Sequence, residues 1–229
     1  MADEATAQMR YSKGAIILHW TIAILVLHNL ITGLLHDALP RAWFQFHISS
    51  GVTILALTIV RIGWRLTHKP PPFLPMAKWE KWLAHIVHFL LYCAMLAAPL
   101  TGWAMISANR PSPPAPVEQA AGAQGPAVAA PPQAPAGPPK PRRTMIWGLF
   151  ELPKLSPIVH IGDQPDGAAK LKEAHELFEE RHEMIGLTFI GLLILHIAGA
   201  LKHQLVDRRR QLARMGVGKP DGAHWDPPE

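Results

Sequence analysis

Residues 182–196 read HEMIGLTFIGLLILH, an apolar run with a histidine at each end. His182 and His196 are fourteen residues apart, which is close to four whole turns of an α-helix. In a helix, the two imidazoles would share one face and lie ~21 Å apart along the axis. The run continues to Leu201 without a further charge, a length that can cross a bilayer. This stretch therefore predicts a transmembrane helix with two histidines on one face.

Three further apolar blocks precede this one. They cover residues 16–35, 48–66 and 83–106, and the last span covers about 184–204. Each block is long enough to cross ~30 Å of hydrocarbon at 1.5 Å per residue. None contains Asp or Glu, whereas a soluble bundle would show polar faces at the helical period. The sequence predicts an all-α fold, a transmembrane four-helix bundle that forms a single membrane domain over residues 1–229 and is surrounded by lipid.

Lysine and arginine are concentrated before the first span, between the second and third, and after the fourth. The connection between the first and second spans carries only Arg41. Because basic residues favour the cytoplasmic side, both termini are predicted to be cytoplasmic, including a tail at 205–229. The net charge of +5 has the same explanation, so no nucleic-acid partner is predicted.

The long third connection, residues 107–181, is predicted to be periplasmic. Its first part, 108–141, is rich in proline and alanine and is expected to be a disordered insertion. The next stretch, 145–153 (MIWGLFELP), is apolar and aromatic, as is typical of a membrane surface. Residues 168–182 have helix-forming composition and are expected to lead into the fourth span.

Four histidines pair by their depth in the spans. His19 lies early in the first span and matches His196 near the inner surface, while His47 begins the second span and matches His182 near the outer surface. Neutral imidazoles on facing helices are suitable axial ligands for haem iron. The single cysteine, Cys93, excludes the Cys-x-x-Cys-His signature of covalent attachment. The pattern predicts two noncovalent haem b groups, one per leaflet, although a lone histidine would be read as a structural one.

Other residues beside these histidines have two interpretations each. Gly51 and Gly186 follow a ligand by four residues and either give room to a porphyrin or form plain helix contacts. Arg61 and Arg65 either pair with haem propionates or anchor the span at the membrane surface.

His85 and His88 share one face of the third span near its predicted cytoplasmic end. They are candidates to replace a ligand, to line a quinone or proton site, or to form a polar lining near the propionates. His28 is half a turn out of phase with His19 and is expected to face elsewhere. His203 is expected to be interfacial.

Several ordered motifs make the chain resemble the prokaryotic cytochrome b561 family. These are Leu18-His19-Trp20, Phe46-His47 with Gly51, RIGWR at 61–65, AHIVH at 84–88, WGLFELP at 147–153, His182-Glu183, His196, and Lys202-His203. The resemblance implies a four-helix, di-haem protein of the bacterial inner membrane. It also implies His19 with His196 and His47 with His182 as ligand pairs. Family members pass electrons to or from quinone, and some oxidise superoxide at the outer face. The proline-rich insertion departs from the family.

The leading hypothesis is electron transfer between a periplasmic reductant, with superoxide as one candidate, and membrane quinone. Basic residues on the outer side would favour an anionic donor; these are Lys140, Arg142, Arg143 and Lys154.

One alternative is a cytochrome b subunit of a larger complex, such as a hydrogenase or formate dehydrogenase. A histidine-lined metal permease would need carboxylates or broken helices in the spans, and a structural anchor would leave the paired histidines unexplained. A homodimer stays open, as does the choice between electron carrier and enzyme.

Overall fold

The structure is a computed structural model that describes residues 10–73, 75–109, 143–209 and 211–218. The helices and strands, in chain order, are α1 (Lys13–Leu34), α2 (Arg41–Thr67), α3 (Lys78–Ala108), β1 (Met145–Ile146), β2 (Phe150–Glu151), α4 (Ser156–Ile161), α5 (Gly167–Leu201), a π-helical segment (Lys202–Val206) and α6 (Gln211–Arg214). The predicted insertion at 108–141 lies outside the described residues, apart from Ala108 and Asn109 at its start.

Four of these helices are long and apolar enough to cross a membrane: α1, α2, α3, and α5 with its π-helical segment. The predicted helical, four-span architecture is therefore confirmed. The helices are longer than the apolar blocks, because polar turns continue them past the hydrocarbon. Thus α2 begins at Arg41, and α5 begins at Gly167 and includes the predicted 168–182 helix without a break.

The spans meet in a narrow apolar core and leave large side chains on their outer faces. The buried core residues are Ile22, Val26, Ile54, Val87, Leu91, Ala94 and Phe189. Ile24, Leu187 and Ile194 are 67%, 58% and 63% exposed, although they lie in the middle of spans. Such exposure would be costly in water and is the arrangement that lipid tails favour, because the bilayer itself solvates the apolar side chains.

A β-hairpin closes one end of the bundle, which we call the hairpin end. Trp147 and Gly148 have φ of 52° and 71°, the left-handed conformation that a two-residue hairpin turn needs. The Trp147 backbone N–H donates to Ser49 Oγ at 3.1 Å, and its indole N–H donates to Thr53 Oγ1 at 3.0 Å. The stretch that the sequence assigned to the membrane surface is therefore fastened to the side of α2.

The C-terminal segment folds back over the opposite end, which we call the terminal end. The Tyr11 N–H donates to the Arg214 carbonyl at 3.2 Å, and the Trp20 indole donates to the Met215 carbonyl at 2.9 Å. Arg214 is buried, donates to the Pro72 carbonyl at 2.5 Å and lies over the Tyr11 ring. Both described ends of the chain thus lie together, and residues 211–217 form a folded cap where the sequence predicted only a tail.

The close approach of α1 and α2 at the terminal end depends on Gly14. A Cβ atom there would lie 2.4 Å from Cζ2 of Trp64, whose indole N–H donates to Ser12 Oγ at 3.0 Å. We expect Gly14→Ala to destabilise the fold by about 1–3 kcal/mol, the usual cost of overpacking. Thermal unfolding in detergent measures this. Gly63→Ala is the matched control, since no atom lies within 4 Å of its Cβ position and alanine favours the helix; an equal loss in both variants would contradict the prediction.

Candidate functional site

Two pairs of histidines face each other across helix interfaces. The ring centres of His19 on α1 and His196 on α5 are 6.2 Å apart, with their planes at 73°. Those of His47 on α2 and His182 on α5 are 6.1 Å apart, with their planes at 72°. The structure therefore brings together both pairs that depth matching predicted. The first pair lies toward the terminal end and the second toward the hairpin end.

The spacing within each pair fits a metal ion between the rings. A metal–imidazole bond is about 2.0–2.1 Å long and a ring nitrogen lies roughly 1.1 Å from the ring centre, so two imidazoles on opposite sides of one ion have centres about 6.3 Å apart. The two observed separations, 6.2 and 6.1 Å, agree with that value. The donor set, two neutral nitrogens per site inside an apolar bundle, is the one that haem iron accepts.

At the hairpin end, hydrogen bonds fix which nitrogen of each ring is available. His182 Nδ1 lies 2.9 Å from the Ala98 carbonyl oxygen, which can only accept, so Nδ1 carries the proton. His47 Nδ1 lies 3.1 Å from the Thr32 hydroxyl, which itself donates to the His28 carbonyl at 2.9 Å. The Thr32 oxygen is thus left to accept from His47. In both rings Nε2 is left with its lone pair, as a metal ligand requires.

Two glycines that sequence reasoning missed give these rings their space. A Cβ on Gly33 would lie 3.4 Å from the His47 ring, and one on Gly102 would lie 3.2 Å from the His182 ring. Neither is one turn from a ligand on the same helix, so only the packing of neighbouring helices reveals them. Gly51, in contrast, lies against Asn29, with 3.3 Å from its Cβ position to Nδ2, while Gly186 faces open space. A role for Gly51 in haem packing stays a prediction.

The terminal-end site contains a third imidazole. The His88 ring centre lies 5.1 Å from that of His196, about 1 Å less than a shared metal ion needs. His88 therefore lies beside the His19–His196 pair, where it can contact a group bound between those two rings. Sequence reasoning had left its role open.

Arg61 is directed into the same site. Its Nε–H donates to the Tyr92 hydroxyl at 3.0 Å, and its positive charge acts on His19, His88 and His196. Its Nη1 atom is buried and has no hydrogen-bond partner among the described residues. Because a buried guanidinium nitrogen without an acceptor is costly, this geometry suits an anionic group such as a carboxylate.

His28 belongs to neither histidine pair and packs toward the hairpin end of the bundle. Its ring lies 4.4 Å from that of Phe46 and 5.7 Å from that of Trp43. Phe46 in turn contacts Trp147 of the hairpin at 4.8 Å. His28 thus belongs to an aromatic cluster that packs α1 against α2, and its helical phase relative to His19 did not reveal these partners.

A cluster of charges joins α3 to the end of α5. Lys202 forms ion pairs with both Glu80 and Asp207, and His203 Nδ1 lies 2.6 Å from Asp207 Oδ2. Hydrogen bonds from Lys202 and His203 hold the pKa of Asp207 below its ordinary value, so it stays ionised at neutral pH. The Lys202 ammonium already balances the charge of Glu80 and Asp207. The cluster therefore stabilises the packing of α3 against the end of α5.

A helical membrane bundle with histidines paired across its interior defines a class, the membrane cytochromes b. The chain matches the prokaryotic cytochrome b561 family over residues 10–218 and belongs to that family. Membership confirms the resemblance seen in the sequence. It makes the protein a multi-pass membrane protein of electron transport in a family that binds haem b.

Two relatives have informative names. A probable superoxide oxidase CybB from Yersinia pestis is 31% identical over 102 residues, which cover 42% of this chain and 58% of that protein. Cytochrome b561 homolog 2 from Escherichia coli (strain K12) is 23% identical over 217 residues, or 92% of both chains. The second alignment extends over nearly the whole of both chains, whereas the first covers little more than half of the Yersinia protein.

Proposed function

We propose that the protein holds two haem b groups and passes electrons across the membrane between a periplasmic reductant and quinone. His19 and His196 ligate one iron, and His47 and His182 ligate the other. The observation that carries this proposal is the spacing of the two pairs, 6.2 and 6.1 Å, at opposite ends of one helix. One helix that presents ligands to both groups sets them ~21 Å apart along its axis.

The residues around each pair bind and orient the group. At the hairpin end, the Ala98 carbonyl and the Thr32 hydroxyl bind Nδ1 of His182 and His47, which leaves Nε2 of each ring for the iron. At the terminal end, Arg61 supplies a donor for a propionate, and Tyr92 holds its guanidinium in place. When bound, haem supplies the one-electron chemistry, while ligand identity and burial set its potential.

The distribution of positive charges supports one orientation in the membrane. Basic residues at the terminal end favour the cytoplasmic side of a bacterial inner membrane, and in that orientation the hairpin end faces the periplasm. The name of the Yersinia relative supports superoxide as the donor. Two superoxide ions would each lose one electron to become O₂, and one quinone would take both electrons with two protons. Lys154 is the better candidate to meet an anionic donor, since its ammonium donates to the Asn109 carbonyl and forms no ion pair among the described residues, whereas Arg143 is paired with Glu151 at 3.3 Å.

We expect two haems per chain in protein purified with its cofactor. A pyridine haemochrome assay against protein concentration gives the ratio, and a reduced-minus-oxidised spectrum identifies haem b. Anaerobic addition of superoxide to the oxidised protein is expected to reduce the haems, and quinone is expected to reoxidise them. A ratio near one would remove one of the two pairs from the proposal, and a ratio near zero would remove both. Haem that stays oxidised in superoxide would exclude that donor alone.

A further inference from the structure

The cap ends in a compact hydrogen-bonded turn. Gly216 has φ of 85°, and its N–H donates to the Ala213 carbonyl at 3.1 Å. The N–H of the next residue, Val217, donates to the Leu212 carbonyl at 3.0 Å. This is the Schellman arrangement, in which a left-handed glycine ends a helix and satisfies two of its last carbonyls. The Met215 carbonyl takes no part in that pattern and can accept from another segment of the chain.

The partner of the Met215 carbonyl is Trp20 on α1, whose indole N–H donates to it at 2.9 Å. The turn also lies close against α1 one helical turn earlier. A Cβ atom on Gly216 would lie 3.3 Å from Cγ2 of Ile16, and Ile16 and Trp20 share one face of the helix. The cap therefore fixes the orientation of the Trp20 indole by a hydrogen bond from a closely packed position.

The Trp20 ring in turn contacts the imidazole of His19. The ring centres are 5.3 Å apart with the planes at 64°, an edge contact that aromatic rings favour. At the hairpin end, both proposed ligands are oriented by hydrogen bonds at Nδ1. Among the described residues, the His19 ring has no hydrogen bond, and its ring contacts are with Trp20 and with His196, its partner in the pair. The orientation of the His19 ring therefore depends on Trp20.

We propose that Trp20 is a positioning residue for His19, and that the cap sets the orientation of this imidazole through the Trp20 indole. Neighbours that hold a metal ligand in one orientation tune the metal that it binds. The planes of the His19 and His196 rings stand at 73°, and the hydrogen bond from Trp20 to the cap helps to keep that angle. The C-terminal segment thereby acts on the terminal-end site through one hydrogen bond and one ring contact. This proposal rests on the proposed function, because it takes His19 as an iron ligand.

The test is a Trp20→Phe variant, which removes the indole N–H and keeps an aromatic ring. The electron paramagnetic resonance (EPR) spectrum of an oxidised bis-histidine haem depends on the angle between the two imidazole planes, so it reports ligand orientation directly. In full-length, haem-loaded protein, we expect the terminal-end signal to broaden and its largest g value to shift. The hairpin-end signal should stay unchanged in the same sample, which shows that the bundle is intact. The signal that remains in His182→Ala identifies the terminal-end haem.

A second variant, Gly216→Val, tests whether the cap acts through Trp20. It places a side chain at positive φ against Ile16 and so displaces the turn that carries the Met215 carbonyl. We expect the same shift of the terminal-end signal as in Trp20→Phe. The combined variant should shift the signal no further, because both changes break the same hydrogen bond. Additive shifts would mean that the cap and Trp20 act separately and would overturn the proposal.

Trp64→Phe is the matched control, because it removes an indole N–H at the same end of the bundle. Trp64 donates to Ser12 Oγ at 3.0 Å and stacks on His68 at 4.1 Å, and neither partner is a proposed ligand. Both EPR signals should stay unchanged in this variant. An unchanged terminal-end signal in Trp20→Phe, or an equal shift in Trp64→Phe, would overturn the proposal. The haem-to-protein ratio separates the two ideas: a ratio of two without a shift refutes only the role of Trp20, whereas a ratio of zero in the unaltered protein refutes the proposed function.

Discussion

Replacing His182 with alanine is expected to halve the haem content, from two groups per chain to one. The lost group is the one at the hairpin end, because His47 alone would face the iron there, while His19 and His196 stay 6.2 Å apart at the other end. The retained haem should keep a bis-histidine spectrum. The pyridine haemochrome assay counts the groups, and a redox titration should change from two midpoint potentials to one.

His175→Ala is the control for this experiment. His175 lies on α5 seven residues before His182, and its Nδ1 is 3.0 Å from the Met105 carbonyl. It is the nearest described alternative on the same helix, yet no ring contact joins it to His47 among the described residues. We expect it to keep two haems. If His182→Ala kept two haems and His175→Ala kept one, the hairpin-end ligand would be His175.

The pairing of the histidines could be predicted because it depends on helix geometry alone. Apolar blocks fix the spans, their alternating direction fixes the depth of each residue, and fourteen residues make nearly four turns. The rotation of each helix about its own axis is harder to predict from the sequence. His28 packs with Phe46, and Gly33 and Gly102 lie against the His47 and His182 rings of neighbouring helices. Those contacts depend on how side chains interdigitate between helices, which residue spacing within one helix does not determine.

The hydrogen bonds that hold the cap and the hairpin at the two ends of the bundle could not be predicted from the sequence either. The cap at 211–217 depends on backbone carbonyls of Ala213, Arg214 and Met215, and any residue type supplies such acceptors. Both residues of the hairpin turn, Trp147 and Gly148, have positive φ, the conformation that glycine adopts most easily. Only one of the two is a glycine, so the sequence predicts the turn weakly. Its hydrogen bonds to Ser49 and Thr53 stabilise that conformation. A pattern of residue types could therefore predict an apolar, aromatic stretch but not its docking on α2.

Replacing His19, the proposed partner of His196 at the terminal end, is expected to change the haem-to-protein ratio as strongly. We expect His19→Ala to lose the haem at this end and keep the one at the hairpin end, so that the ratio falls from two to one. His88→Ala is expected to keep both. The reason is distance: His19 stands 6.2 Å from His196, which fits a shared iron, whereas His88 stands 5.1 Å away, which is about 1 Å too close.

The two variants form a matched pair, because each removes one imidazole in contact with His196 from a different helix. Electrochemical titration adds a second readout. In His88→Ala, the midpoint potential of the terminal-end haem should move while its ligation and the haem count stay unchanged, since a polar neighbour next to a haem affects its potential. The reverse result, with one haem in His88→Ala and two in His19→Ala, would assign the site to His88 and His196. It would also require α3 to move outward by about 1 Å when haem binds, so that one iron fits between the His88 and His196 rings.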